Sequence, residues 1–103
     1  MKKFPKIGEK LYLSRSSGDF YCDMVCNPYT VVEIKGESVY VQACKLIFNG
    51  VRYFDTLPDD IREDKEGKIV KLRWSEKHQR WQTTGSCPEI ATFGEWIYQP
   101  YLN

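Results

Sequence analysis

The sequence predicts a mainly β, antiparallel domain: a small barrel or strongly bent sheet with one or two short helical turns. Three observations point there. β-branched and aromatic residues recur in short runs with period-two alternation, turn residues separate those runs at close spacing, and Asn49-Gly50 divides two apolar-aromatic stretches. The last signal is the strongest, because a type I′ turn needs positive φ at both central residues and Asn-Gly supplies it.

Residues 4–13, FPKIGEKLYL, read as a lead-in and first strand, with Ile7, Leu11 and Leu13 as burial candidates and Gly8 at a bend or bulge. Residues 14–19 form a turn by composition. From Phe20 to Cys26, alternation sets Phe20, Cys22, Met24 and Cys26 on one face, and Asn27-Pro28 is expected to interrupt the run. Tyr29 to Ile34 reads as a strand, and Lys35-Gly36-Glu37 turns it into a run from Val39 to Phe48.

A two-residue turn at Asn49-Gly50 would set Phe48 opposite Val51, Leu46 opposite Tyr53 and Cys44 opposite Asp55. After Asp55, Thr56-Leu57-Pro58-Asp59 suits the start of a helical turn, and residues 59–68 read as a solvated loop or single turn. From Ile69 to Ser75, Val70, Leu72 and Trp74 alternate with Lys71 and Arg73. A connection from Glu76 to Gln79 brings back Arg80 to Thr84 and sets Trp74 against Trp81. Near the C-terminus, Pro88 suits a second helical turn and Phe93 to Tyr98 a closing strand. Six or seven short strands in residues 1–103 fit a single small barrel, SH3-like or similar.

A chain of 103 residues can bury enough apolar surface to fold without staples. No apolar run approaches the length of a membrane span, and Pro5, Lys6, Gly8 and Glu9 stand where an export signal would need an apolar stretch, so the expected location is cytoplasmic. Cys22, Cys26, Cys44 and Cys87 are then expected as thiols rather than disulfides. With a net charge of +1, only a local patch can attract a charged partner.

No phosphate-binding glycine loop, nucleophile elbow or His-Glu-x-x-His pattern occurs, and the reading is of a protein that is not an enzyme and uses no cofactor. Cys22-x3-Cys26 has a spacing used by structural zinc sites, but no second close pair accompanies it, and buried thiols account for the same residues. His78, the one histidine, falls in a predicted hairpin tip.

Two surfaces are candidates for binding. The hairpin of residues 68–81 carries Lys71, Arg73, Lys77 and Arg80 interleaved with Trp74 and Trp81, the mixture that single-stranded nucleic acid binding uses. Alternation, however, sets the tryptophans on the face opposite Lys71 and Arg73, so a packed pair beneath an ordinary charged face explains the same residues and is the favoured reading. The acidic segment holding Asp59, Asp60 and Glu63 suits a basic groove on a partner, or a solvated loop.

In FYCDMVCNPYTV at 20–31, CKLIFNGVRYFDTLPDD at 44–60 and FGEWIYQPYLN at 93–103, the chain resembles small accessory proteins carried by phages and prophages of Gram-positive bacteria. What this resemblance implies is a context: such proteins act by binding and obstructing a host or defence protein or nucleoprotein complex.

Overall fold

The structure, a computed structural model, describes residues 3–16, 24–51 and 56–99. Its strands are β1 (Lys10–Ser16), β2 (Met24–Lys35), β3 (Ser38–Ala43), β4 (Lys45–Ile47), β5 (Asp60–Arg62), β6 (Ile69–Ser75), β7 (Arg80–Thr83) and β8 (Ile90–Phe93). Six of them close an antiparallel barrel in the order β1-β2-β3-β6-β7-β8, with β8 pairing back onto β1, while β4 and β5 pair with each other in a separate ribbon. The barrel is the predicted fold class. Among the described residues there is no helix, so the turns expected at Pro58 and Pro88 are not helical, and no helix is long and apolar enough to cross a membrane.

Alternation fills the barrel as the sequence predicts. Leu11 and Leu13 of β1, Tyr29 and Val31 of β2, Val39 and Val41 of β3, Leu72 of β6, Trp81 of β7 and Ala91 of β8 form one buried cluster. Leu11, Leu13, Val31, Val39, Val41 and Leu72 are fully buried, and each such side chain contributes about 1.5–3 kcal/mol relative to exposure. Ile7, expected among them, is 67% exposed. Gly8 has a positive φ of 91° and donates its N–H to the Val31 carbonyl at 2.7 Å, which ties down the chain before β1 begins at Lys10.

β2 serves two neighbours, β1 along its first half and β3 along its second. The two pairings overlap at Tyr29 and Thr30, and beyond them the β2–β3 ladder carries a bulge between Val31 and Glu33, where Val31 faces Val41 but Glu33 faces Tyr40. The extra residue shifts the phase of the strand: Glu33 turns outward to solvent, and Ile34 packs against the core. Gly36, with φ of 61°, then supplies the turn into β3 that the sequence predicts.

Asn27-Pro28 does not interrupt the strand. Pro28 lies within β2 opposite Tyr12, and its carbonyl accepts the Cys44 N–H at 3.1 Å on the β3 side. A residue's N–H and C=O point the same way in a strand, so the donor that proline lacks falls where the β2–β3 ladder stops. Beyond it Cys26 and Gln99 exchange backbone hydrogen bonds at 2.9 and 2.8 Å. The C-terminal segment thus takes the place beside β2 that β3 vacates.

The two-residue hairpin at Asn49-Gly50 is not formed. Leu46 faces Ile61 of β5 instead of Tyr53, which with Asp55 lies outside the described residues, and the predicted Val39–Phe48 run breaks at Cys44. Neither Asn49 nor Gly50 has positive φ, so the I′ condition is unmet. Asp59 closes the loop instead: its N–H donates to the Ile47 carbonyl at 2.8 Å, and its carboxylate accepts the Asn49 N–H at 2.7 Å. Residues 59–68 accordingly contain a strand as well as a loop.

The chain re-enters the barrel at Gly67. Gln42 Nε2 donates to the carbonyls of Lys65 and Gly67 at 2.9 and 3.0 Å, and a Cβ at Gly67 would collide with the Ala43 carbonyl. The β6–β7 hairpin has the predicted register, with Trp74 opposite Trp81 and a turn over 76–79. The closing strand lies earlier than predicted, because Gly94, at φ of 124°, ends β8 after Phe93.

Candidate functional site

The basic candidate divides between the two faces of the barrel wall. Lys71 and Arg73 are exposed on the outer face of β6, opposite Tyr40 of β3 and Gln82 of β7 respectively, and Lys77 is exposed in the turn. Arg80 donates from Nε to Gln82 Oε1 at 2.9 Å, which lays its guanidinium along β7. Trp74 and Trp81 turn inward and meet edge to face, with centroids 5.6 Å apart at 69°. Trp81, 4% exposed, donates its indole N–H to the Lys3 carbonyl at 2.9 Å and packs against Phe4 at 5.2 Å. Lys71, Arg73 and Lys77 keep their place at the surface, while Trp81 belongs to the core and the half-buried Trp74 packs inward against it.

The acidic candidates sit together on the ribbon. Asp59, Asp60 and Glu63 are all exposed. Asp60 accepts from Arg62 Nε at 2.7 Å and from the Ile61 amide at 2.9 Å, and the Arg62 hydrogen bond holds its carboxyl below the usual carboxylate range. Lys45 and Arg62 face each other at the barrel end of the ribbon, while Asp60 and Asp59 lie toward the loop end. There Val51 is 75% and Leu57 62% exposed.

Cys26 is buried, and burial pushes its thiol pKa up. Burial does the same for Cys44 and outweighs the Thr30 hydroxyl 3.5 Å away, which pulls it down. Both are the neutral, unreactive kind of thiol. Cys22, the partner in the zinc alternative, lies outside the described residues, and among those described no group of three or more His, Cys, Asp or Glu side chains is placed to hold a metal. His78 is exposed in the β6–β7 turn, its backbone N–H donating to Ser75 Oγ at 3.2 Å.

Two features escape a reading of the sequence. Residues 3–9 form a strap across the barrel, and all of them except Gly8 line, with Phe93, an open cleft of about 740 Å³. Trp96 donates its indole N–H to the Tyr29 carbonyl at 3.0 Å, with Lys10 Nζ 4.3 Å from its ring centroid. A second groove, of about 520 Å³, runs between this pair and Asp59, Asp60 and Ile61 of the ribbon. Strap and Trp96 both depend on contacts across most of the chain length, for which no local pattern exists.

Comparison with protein-family models, with curated proteins and with solved structures finds no match to this chain.

Proposed function

We propose that the chain is a non-enzymatic binding protein, an accessory protein of a phage or related mobile element, that docks on a host or defence macromolecule and obstructs it. The observation that carries this reading is the β4–β5 ribbon, which pairs outside the barrel and exposes Val51 and Leu57 next to Asp59 and Asp60. Large apolar side chains with a charged border are the makings of an interface: the apolar groups supply affinity, and the carboxylates supply orientation and approach rate. The partner that fits is a protein with an apolar pocket rimmed by Lys and Arg, such as one that handles nucleic acid. The reading sets the encounter in the cytoplasm and needs no cofactor.

A second reading, direct nucleic acid binding, is supported by the exposed Lys71, Arg73 and Lys77 on the β6–β7 hairpin. With Trp74 and Trp81 turned inward it becomes a backbone contact without stacking.

Affinity capture from host cells, with and without nuclease, separates the two. Wild type is expected to retain a protein after nuclease treatment, and a Val51→Asp/Leu57→Asp variant to lose it. Retention unchanged by the double substitution would sink the ribbon reading. Loss of the captured material on nuclease treatment alone would favour the second.

A further inference from the structure

The barrel has one thinly paired seam. β8 pairs with β1 from Leu11↔Phe93 to Ser14↔Ile90, but with β7 only at Gln82↔Ile90. The strap touches both sides of the gap beyond that pair: Phe4 packs on the Trp81 ring, the Lys3 carbonyl takes the Trp81 indole N–H, and the cleft lies between the strap and Phe93. The Gly94 N–H donates to the Lys10 carbonyl at 2.8 Å, a bond that flanks the Leu11–Phe93 pair and makes it a non-hydrogen-bonded one. The Phe93 N–H and C=O therefore point away from β1, and among the described residues neither has a backbone partner. Phe4, 40% exposed, and Ile7, 67% exposed, give the strap wall of the cleft an apolar surface. Lys3 and Lys6 are exposed at its rim, and among the described residues neither ammonium has an ion pair. The acid of the cleft, Glu9, spends one carboxylate oxygen on the Lys6 backbone N–H at 3.0 Å.

We infer that the strap cleft binds an extended acidic peptide, a segment of a partner protein that pairs its backbone with Phe93 and lays apolar side chains against Phe4, Ile7 and Phe93 while its Asp or Glu side chains meet Lys3 and Lys6. Alternation in an extended segment sends apolar and acidic side chains to opposite sides, which matches a cleft with apolar walls and a cationic rim. The charge of the rim selects an acidic occupant over a basic one. The unpaired backbone of Phe93 selects a peptide over a small amphiphile, which has no amide to return the bonds. This goes beyond the proposed function: the cleft shares no residue with the ribbon and takes a partner of the opposite charge.

Fluorescence anisotropy of the purified full chain with a capped, labelled heptapeptide that alternates Asp with Phe or Ile tests it. Wild type is expected to bind this peptide with a dissociation constant below about 1 mM, and about tenfold more tightly than the counterpart with Lys for Asp. Methylating one alternate set of the peptide's backbone nitrogens should weaken binding about tenfold, and methylating the other set should spare it, because a strand pairs along one edge at a time. Lys3→Glu/Lys6→Glu should reverse the preference in favour of the Lys peptide, and Ile7→Asp should weaken the acidic one about tenfold, each with an unchanged thermal melt because the positions are exposed. Val51→Asp/Leu57→Asp, on the other surface, should bind the acidic peptide as wild type does, so failure of the ribbon reading leaves this result standing. No binding below about 1 mM, equal affinity for the two peptides, a charge preference untouched by the lysine substitutions, or equal effects of the two methylation sets would each overturn the inference. Tighter binding of dodecanoate than of the peptide would also overturn it, by making the cleft a site for amphiphiles.

Discussion

The carbonyl of Pro28 accepts the Cys44 amide at 3.1 Å, and proline has no N–H with which to return the bond. The β2–β3 ladder ends at this pair. Past it β3 gives way to β4, the chain swings out as the ribbon, and the exposed length of β2 pairs with Gln99 through Cys26. A missing donor at one position thus fixes where the barrel releases the chain toward Val51, the most exposed large apolar side chain among the described residues.

The return of the ribbon is equally localised. A methyl group at Gly67 would meet the Ala43 carbonyl, which already lies beside the Lys68 carbonyl accepting the Ala43 N–H at 2.8 Å. Gly67→Ala is expected to cost about 1–3 kcal/mol through overpacking. Gly50→Ala, where a Cβ meets nothing, should stay within about 0.5 kcal/mol of wild type. Urea unfolding of the two variants checks the contrast, and equal stability would mean the backbone at Gly67 gives way freely.

Leu11, Leu13 and Leu72 were legible because period-two alternation directly encodes a wall with one wet and one dry face. The Trp74–Trp81 register was legible because a short turn fixes it, and with it the separation of both rings from Lys71 and Arg73. The Asn49-Gly50 signal misled because distant groups decided the pairing: Pro28 ends the ladder, and Asp59 caps the loop. The bulge at Val32 and the exposure of Ile7 have the same origin, since a phase shift or a strap is set by the neighbour across the sheet. Hydropathy marked Val51 and Leu57 as apolar without saying that they face water, so the acids of the candidate site were visible but its apolar half was not.

The two core tryptophans should respond differently to Phe. Trp74 Nε1 is buried without a hydrogen-bond partner among the described residues, and an unsatisfied donor costs about 1–3 kcal/mol, so Trp74→Phe removes a penalty along with some packing. Trp81 donates to the Lys3 carbonyl and holds the strap, so Trp81→Phe loses a bond worth about 1 kcal/mol as well as packing. Equilibrium unfolding should rank Trp81→Phe as the less stable variant. The reverse order would mean that the Trp74 indole has an acceptor.

Interior placement of the same rings makes a spectroscopic prediction. In a Trp96→Phe background, which removes the half-buried outer indole, titration with a single-stranded oligonucleotide is expected to leave tryptophan emission unchanged. Any affinity measured by anisotropy should fall with salt and with Lys71→Ala/Arg73→Ala. Quenching on titration would put Trp74 or Trp81 within reach of bases and revive the stacking reading.

Alkaline pH should weaken the fold through its buried acids. Burial is the largest cause raising the pKa of Cys26, Cys44 and Tyr29, with the charge of Glu89 adding to the effect on Tyr29. Each folded pKa lies above its unfolded value, about 8.5 for a thiol and about 10 for a phenol, so the folded chain holds these protons where the unfolded chain releases them. The stabilisation is complete below those unfolded values and is lost as pH rises through the folded ones. Thermal melts should be level from neutral pH to about pH 8 and decline above about pH 9, and Cys44→Ala should make the decline shallower. Iodoacetamide at pH 8 should alkylate exposed Cys87 first, with Cys26 and Cys44 following only when the chain unfolds, as peptide mass spectrometry would read directly. Early labelling of Cys44 would show that its contact with Thr30 opens in the native state, and the alkaline decline would then have to come from Tyr29 and Cys26.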